Sequence, residues 1–349
     1  MEDYRNNENM ASGIEARKDW IDLLRAIAIF GVIILHVSVP YVSSFSSFKD
    51  INWNQALFLN SSVRFCVPLF LMISGILLLN KNYSLKEFLF KRFTRIVYPF
   101  LLWSLIYFFV HHSIQHVSFV EVGIELFKTL KTGAEYHLWY VYMILGLYLF
   151  IPIINSWIKT TKLNEVRYYL IIWILVLSFN LPYLNKFYTR IDFVYFTGYL
   201  GYLLLGYYLY KSKSIINRTK GFFLYFLGIV LTYFLTLIFA LKDNEFVNVF
   251  FEYLTPNVIL ASISIFMIFK GYEIKNPLFL RGVKWISKYS YGTYLSHVAV
   301  IIFLSKFNLL FNTPVVFLTI LLNAFIILLL STFLIFGINK LPLGKYISG

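Results

Sequence analysis

The sequence predicts an all-α protein, a polytopic membrane helix bundle of about ten transmembrane helices with both termini cytoplasmic. Three observations carry that expectation. Hydrophobic residues fill 59% of the 349 positions and charged residues 14%, with a mean hydropathy of +0.70, a balance foreign to soluble domains. Apolar runs of about twenty residues recur, each long enough to cross a hydrocarbon core of about 30 Å. Basic residues also alternate between successive loops. With the N-terminus inside, inner segments hold 22 of the 31 Lys and Arg and outer segments 7, leaving only Arg25 and Arg64 within spans. The positive-inside rule then fixes the orientation, and the alternation favours an even number of spans. The net charge of +14 is therefore a topology signal spread over short loops. No nucleic-acid partner is expected, since that would need basic residues gathered on one folded domain.

The spans read as roughly 21–43, 56–79, 95–113, 137–157, 168–184, 194–211, 220–241, 247–269, 287–306 and 314–338. Residues 1–19 form a cytoplasmic N-terminal segment, 20–340 the transmembrane domain and 341–349 a cytoplasmic tail. The first span contains Trp20-Ile-Asp22-Leu-Leu-Arg25 and reaches His36. Arg25 and His36 are eleven residues apart. At 100° per residue that is three turns plus about 20°, so they share one helix face about 17 Å apart along the axis. Asp22 lies one turn before Arg25 on nearly the same stripe. A central Arg costs roughly 2.5–3.5 kcal/mol on insertion scales, so the stripe reads as a polar path ending in a titratable group. The apolar part is too long for a cleaved signal, and no small-residue cleavage site follows it.

The second span runs inward and carries Arg64 at about the depth of His36. Pro40 follows His36 by four residues, and Pro68 follows Arg64 by four. Each proline leaves the carbonyl four residues earlier without its helical partner. Such carbonyls persist at membrane depth where protein groups or water satisfy them. The pair reads as a hydrated outer cavity between two kinked helices, or as two ordinary kinks near helix ends. Cys66 is the only cysteine, which excludes an internal disulfide and a cysteine-based metal site.

Lys91, Arg92 and Arg95 lead into the third span on the inner side, and i, i+3 spacing puts the two arginines on one face. Forked guanidinium groups there suit the phosphates of a ligand or of lipid headgroups. The outer segment at roughly 114–136 has a helical pattern from Phe119 to Leu130. It is expected along the membrane surface or over an outer cavity. The fourth span opens on Glu135-Tyr136-His137-Leu138-Trp139-Tyr140. His137 and Trp139 suit a cavity mouth with an aromatic platform for a sugar ring, and Tyr140 suits the interfacial belt. Gly198, Gly201 and Gly206 allow close helix packing or leave space for a thin ligand arm. His297 falls near mid-depth of the ninth span, as a lining residue or as a buried histidine held by a neighbouring helix. His111, His112 and His116 lie at an outer span end, where a solvated surface position is expected. No H-x-x-x-H or H-E-x-x-H spacing supports a zinc site, so no metal is expected.

In this order along the chain, six segments resemble the acyltransferase 3 family of bacterial integral membrane acyltransferases. They are Trp20-Ile-Asp22-Leu-Leu-Arg25 with His36, Arg64-Phe-Cys-Val-Pro-Leu-Phe-Leu-Met-Ile-Ser74-Gly75, Arg92-Phe-Thr-Arg95, His137-Leu-Trp139-Tyr, Phe196-Thr-Gly-Tyr-Leu-Gly-Tyr-Leu-Leu-Leu-Gly206 and Tyr291-Gly-Thr-Tyr-Leu-Ser-His297. The likeness is especially to short acetyltransferases without a fused extracellular domain. It implies that 20–340 is a transmembrane acyltransferase domain in the bacterial cytoplasmic membrane. The implied reaction moves an acyl group from cytoplasmic acyl-CoA, commonly acetyl-CoA, to a hydroxyl of a cell-surface polysaccharide or its lipid-linked precursor. Acyl-CoA is then a co-substrate, and no bound cofactor is implied. The chain stops soon after its last span, without the secreted esterase-like domain of larger members. Transfer outside is then completed by this protein alone or by a separate extracytoplasmic partner enzyme.

The residues and the resemblance agree on a division of labour. Arg92 and Arg95, with Lys91, hold the CoA phosphates, and the pantetheine arm passes Asp22 and Arg25 to present its thioester near His36. His36 acts as general base on the acceptor hydroxyl, a role contributing typically 10²–10⁴-fold. Arg64, His137 or His297 stabilise the oxyanion, and Trp139 contributes to acceptor binding. Direct transfer and a covalent acyl-His36 intermediate both fit. The competing class is a transporter or flippase exporting a glycan or small solute, because intramembrane Arg and His also suit a proton-coupled carrier. The paired interrupted segments of such carriers are not evident.

Overall fold

A computed structural model describes residues 2–45, 47, 49–111, 119–187, 196–213, 216–243, 246 and 248–348, with the side chains of 2–18, 119 and 243 left undescribed. Helices are the only regular elements among the described residues. In chain order they are α1 (Glu2–Ser43), α2 (Ile51–Ser62), α3 (Cys66–Leu78), α4 (Leu85–His111), α5 (Phe119–Thr132), α6 (Trp139–Thr160), α7 (Leu163–Ser178), α8 (Leu200–Lys211), α9 (Arg218–Asp243), α10 (Pro256–Phe269), α11 (Pro277–Lys306), α12 (Val316–Lys340) and α13 (Gly344–Ile347).

Seven segments of the described residues are long and apolar enough to cross a membrane. They are Asp19–Ser43, Ile51–Leu78, Leu85–His111, Tyr136–Thr160, Arg218–Lys242, Val249–Phe269 and Val316–Lys340. The three remaining expected spans correspond to α7, α8 and α11. With 16 and 12 residues, α7 and α8 reach only about 24 and 18 Å at 1.5 Å per residue. The 30 residues of α11 have ample length, but Arg281, Lys284 and Lys288 interrupt its apolar character. Outward-facing surfaces fit a lipid solvent. On α9, Phe222, Phe223, Phe226, Phe234 and Ile238 are exposed, while Thr232 and Thr236 are buried. Small and hydroxylated residues inside and large apolar residues outside are the reverse of a soluble helix.

The chain divides into two compact units. The first comprises Met1–Asn80, Trp157–Lys288 and Phe311–Phe325. Here α3 lies on α8 at backbone contact. A Cβ added to Gly75 would stand 1.9 Å from the Leu203 carbonyl oxygen, and one on Gly206 would stand 2.1 Å from that of Met72. Gly201 likewise accommodates the buried indole of Trp173. Of the two roles expected for this series, Gly201 and Gly206 serve packing. Lys270, just past α10, donates to the carbonyls of Leu209 and Ser212 (2.5 and 2.7 Å) at the end of α8, where the helix dipole favours a cation. Burial nevertheless pulls its pKa below the usual lysine value.

The second unit comprises Lys81–Ser156, Tyr289–Leu310 and Ile326–Gly349. The Tyr107 hydroxyl on α4 donates to the Leu295 carbonyl at 2.7 Å and accepts from the Ala299 N–H at 3.1 Å, joining α4 to α11. The amphipathic α5 exposes Val120, Ile124 and Phe127.

Candidate functional site

Within the first unit, α1 presents Asp22 and Arg25 one turn apart. Arg25 Nη1 lies 3.8 Å from Asp22 Oδ1, longer than a charge-assisted hydrogen bond of about 2.7–2.9 Å. Ser287 of α11 bridges them. Its hydroxyl donates to Asp22 Oδ1 at 2.6 Å and accepts from Arg25 Nη1 at 3.4 Å. Both charged side chains remain 27% exposed, so the cluster is electrically balanced yet open to a ligand. Outside it, Lys284 pairs with Asp19 at 2.8 Å. Sequence reasoning missed Ser287. It sits between Lys284 and Lys288 on a segment whose charges dominate the reading, and it reaches α1 only through tertiary folding.

Further along α1, His36 is partly buried and follows Leu35, whose carbonyl anchors a polar network. Ser38 Oγ donates to it at 2.8 Å, and Asn60 Nδ2 donates to Ser38 Oγ at 2.8 Å and to Leu35 O at 3.4 Å. Asn60 Oδ1 accepts from Arg64 Nε at 2.7 Å and from Arg64 Nη2. Arg64 Nη1 also donates to the Phe251 carbonyl at 3.2 Å, and its guanidinium lies 4.1 Å from the Phe251 ring centroid. That stacking adds a cation–π attraction. Arg64 is thus tied, through Asn60, to the α1 backbone next to His36. The signal for Asn60 was its position four residues before Arg64.

Where two kinked helices were expected, the two prolines sit in different backbone settings. α1 runs through Pro40 to Ser43 without interruption. The second span breaks outright, with Val63–Phe65 in a turn between α2 and α3. Pro68 falls in the first turn of α3, where its missing N–H removes no helical bond. The break frees Arg64 from the helical ladder, and its contacts to Asn60 and Phe251 hold the turn.

The second unit gathers His137 and His297. Their rings meet edge-to-face at 5.0 Å between centroids, with Tyr107 5.4 Å and Tyr294 5.5 Å from His137. Both histidines are buried. His297 Nδ1 lies 2.6 Å from the Tyr294 carbonyl. A carbonyl only accepts, so Nδ1 carries the proton, and Nε2 holds the lone pair of the neutral ring. In that state His297 Nε2 receives protons, and it stabilises an oxyanion only as the imidazolium. The Tyr294 hydroxyl donates to the His137 carbonyl, so this one tyrosine fixes both histidine-bearing segments. Glu135 Oε1 accepts from the Tyr136 N–H at 3.1 Å and caps the short turn carrying His137, while its Oε2 lies 2.6 Å from His111 Nε2. Trp139 is 38% exposed and meets Tyr140 edge-on, and Tyr140 packs on Tyr294. The sequence pointed to His137 and His297 but missed Tyr294 and Tyr107 as their supports. Expected solvated positions for His112 and His116 lie outside the described residues; His111 is exposed.

The same unit carries the basic run of α4. Lys91 pairs with Glu87 at 2.6 Å on the exposed face. Arg92 is partly buried and Arg95 exposed. Tyr83 stacks on Phe88 nearby, and burial pushes its phenol up to about 12 against the opposing charge of Arg92. The Tyr291 hydroxyl donates to the Ile96 carbonyl at 2.9 Å, bracing the helix next to Arg95. Among the described residues, no group of three or more His, Cys, Asp or Glu is arranged to hold a metal ion.

These constellations occupy a chain whose residues 18–339 match the family model Acyl_transf_3, described as an acyltransferase domain. No curated protein and no solved structure matches the chain.

Proposed function

From the premise that the chain belongs to the acyltransferase 3 family, we propose that it is a membrane O-acyltransferase using cytoplasmic acyl-CoA, foremost acetyl-CoA. The acceptor is a hydroxyl of a cell-surface polysaccharide or its lipid-linked precursor, and the site of action is the bacterial cytoplasmic membrane. The carrying observation is the half-open Asp22–Arg25–Ser287 cluster on the same apolar helix as His36. A purely structural helix has no use for such a stripe.

The acceptor oxygen attacks the thioester carbonyl while His36 takes the hydroxyl proton. The tetrahedral oxyanion then collapses, the carbon–sulfur bond breaks, and the imidazolium returns the proton to the CoA thiolate. The products are the ester and free CoA. Arg25, held by Asp22 and Ser287, supplies positive charge along the stripe. Arg92 and Arg95 bind the CoA phosphates through bidentate contacts, with Lys91 adding to the local field. Arg64 and His137 support the oxyanion, and Trp139 and His297 line the acceptor side. Ten spans, cytoplasmic termini and an extracytoplasmic partner enzyme complete the proposal.

The test is acetyl-CoA turnover by the purified protein in liposomes with a surface-glycan extract. CoA release should require the extract and fall by 10²–10⁴-fold in His36→Ala, the range of a lost general base. Release that persists in a folded His36→Ala protein overturns the base assignment. A folded wild type that moves glycan without consuming acyl-CoA overturns the enzyme reading in favour of a carrier. Arg92→Ala combined with Arg95→Ala should raise the KM for acetyl-CoA with less effect on kcat. An unchanged KM returns both residues to lipid anchoring.

A further inference from the structure

A cleft of about 290 Å³ opens between the α6–α7 turn and the last turn of α8, lined by Thr161, Leu163, Val166, Tyr207 and Lys211. The reaction proposed above uses none of these residues. Tyr207 is only 8% exposed, and its hydroxyl has no hydrogen-bond partner among the described residues. That oxygen is not itself enclosed: it opens onto the cleft, where a ligand oxygen can accept its hydrogen bond in place of water. Lys211 brings an ammonium to the same space. The Thr161 hydroxyl donates to Glu165 on the rim, which leaves Lys211 and Tyr207 as the available side-chain donors of the cleft.

Three further features narrow the ligand. Leu163 is the first residue of α7, and Lys162 provides no side-chain cap, so that helix start adds a positive dipole end. Leu163 and Val166 form an apolar wall suited to an organic chain beside an anionic group. Thr161 directly follows the span that closes at Thr160, which puts the cleft at headgroup depth. The acid on the rim, Glu165, is exposed and flanked in sequence by Lys162 and Arg167.

We propose that this cleft binds the phosphate of an anionic ester, with the Lys211 ammonium and Tyr207 hydroxyl donating to its oxygens. The ester is either a membrane phospholipid or a water-soluble phosphate, and two probes separate these sources. The full-length protein is placed in phosphatidylcholine nanodiscs. In one arm phosphatidylglycerol is mixed in and the retained lipid is counted by native mass spectrometry. In the other, inorganic pyrophosphate is titrated and the shift in Tm is read.

The probe that binds assigns the source, and Lys211→Met should weaken it by about tenfold, the scale of a charged hydrogen bond. Tyr207→Phe should weaken it by about threefold, as for a neutral bond. Without any probe, Tyr207→Phe should match the wild-type Tm, because the lost hydroxyl has no protein partner. That variant carries the test alone if Lys211→Met does not fold. Failure of both probes to bind the wild type, or binding indifferent to Tyr207→Phe, overturns the proposal.

Discussion

At Asp22 and Arg25 the membrane sets the terms. Each charge alone would be expensive at depth, and their 3.8 Å separation leaves part of that cost uncompensated. The Ser287 hydroxyl supplies what the geometry lacks, a 2.6 Å bond to the carboxylate. Ser287→Ala should therefore lower the unfolding free energy by about 1–3 kcal/mol, as expected for a carboxylate stripped of a donor. Acyl transfer should fall by at most tenfold, because Asp22, Arg25 and His36 all remain. Thermal unfolding in detergent and initial rates of CoA release measure the two effects, and an unchanged Tm would show the serine to be incidental. The one-turn spacing of Asp22 and Arg25 was legible because helix period alone sets it. Ser287 was not, since 265 residues separate it from Asp22 and only tertiary packing joins them. The same holds for Tyr294, whose carbonyl holds the His297 ring and whose hydroxyl fixes the His137 backbone.

The elements show where local rules end. Pro40 and Pro68 were alike in the sequence, each four residues after an ionisable group, yet one sits inside a continuous helix and the other starts a new one. Proline dictates a missing donor but not the response to it. At Arg64 the response is decided by Asn60 and by Phe251, 187 residues away. Packing of α3 on α8 was easier to foresee, because glycines spaced along a span commonly mark close approach. The contact partners at Gly75 and Gly206 are backbone carbonyls, which no rotamer change can move aside. Gly206→Leu should prevent accumulation of folded protein, measured by size-exclusion recovery of a fluorescent fusion. Gly198→Ala should be tolerated, since space around that Cβ is open. Equal recovery of both variants would contradict the packing described.

For the whole molecule, composition made the all-helical membrane class plain, and loop charges proposed its orientation. Span number was harder to read, because α7 and α8 are short and basic residues interrupt the first half of α11. Hydropathy cannot distinguish a short span sheltered by neighbours from a helix that never crosses. Orientation has a direct test. Cys66 is fully buried, so Ala, which brings no hydroxyl into the interior, is the replacement that gives a cysteine-free background. In intact cells an impermeant maleimide should then label Lys128→Cys and leave Lys345→Cys unlabelled. The opposite pattern would invert the topology and place the Arg92–Arg95 run on the wrong side for cytoplasmic CoA.

The bridging of Asp22 and Arg25 by Ser287 also has a history in time. Translation at about 5–20 residues per second delivers Ser287 roughly 15–50 s after α1 has left the ribosome. During that interval the carboxylate and guanidinium have chiefly each other and interfacial water for company. Their one-turn spacing therefore matters for biogenesis: α1 enters the bilayer with its two charges already opposed, and the serine arrives as a late latch on a helix already in place.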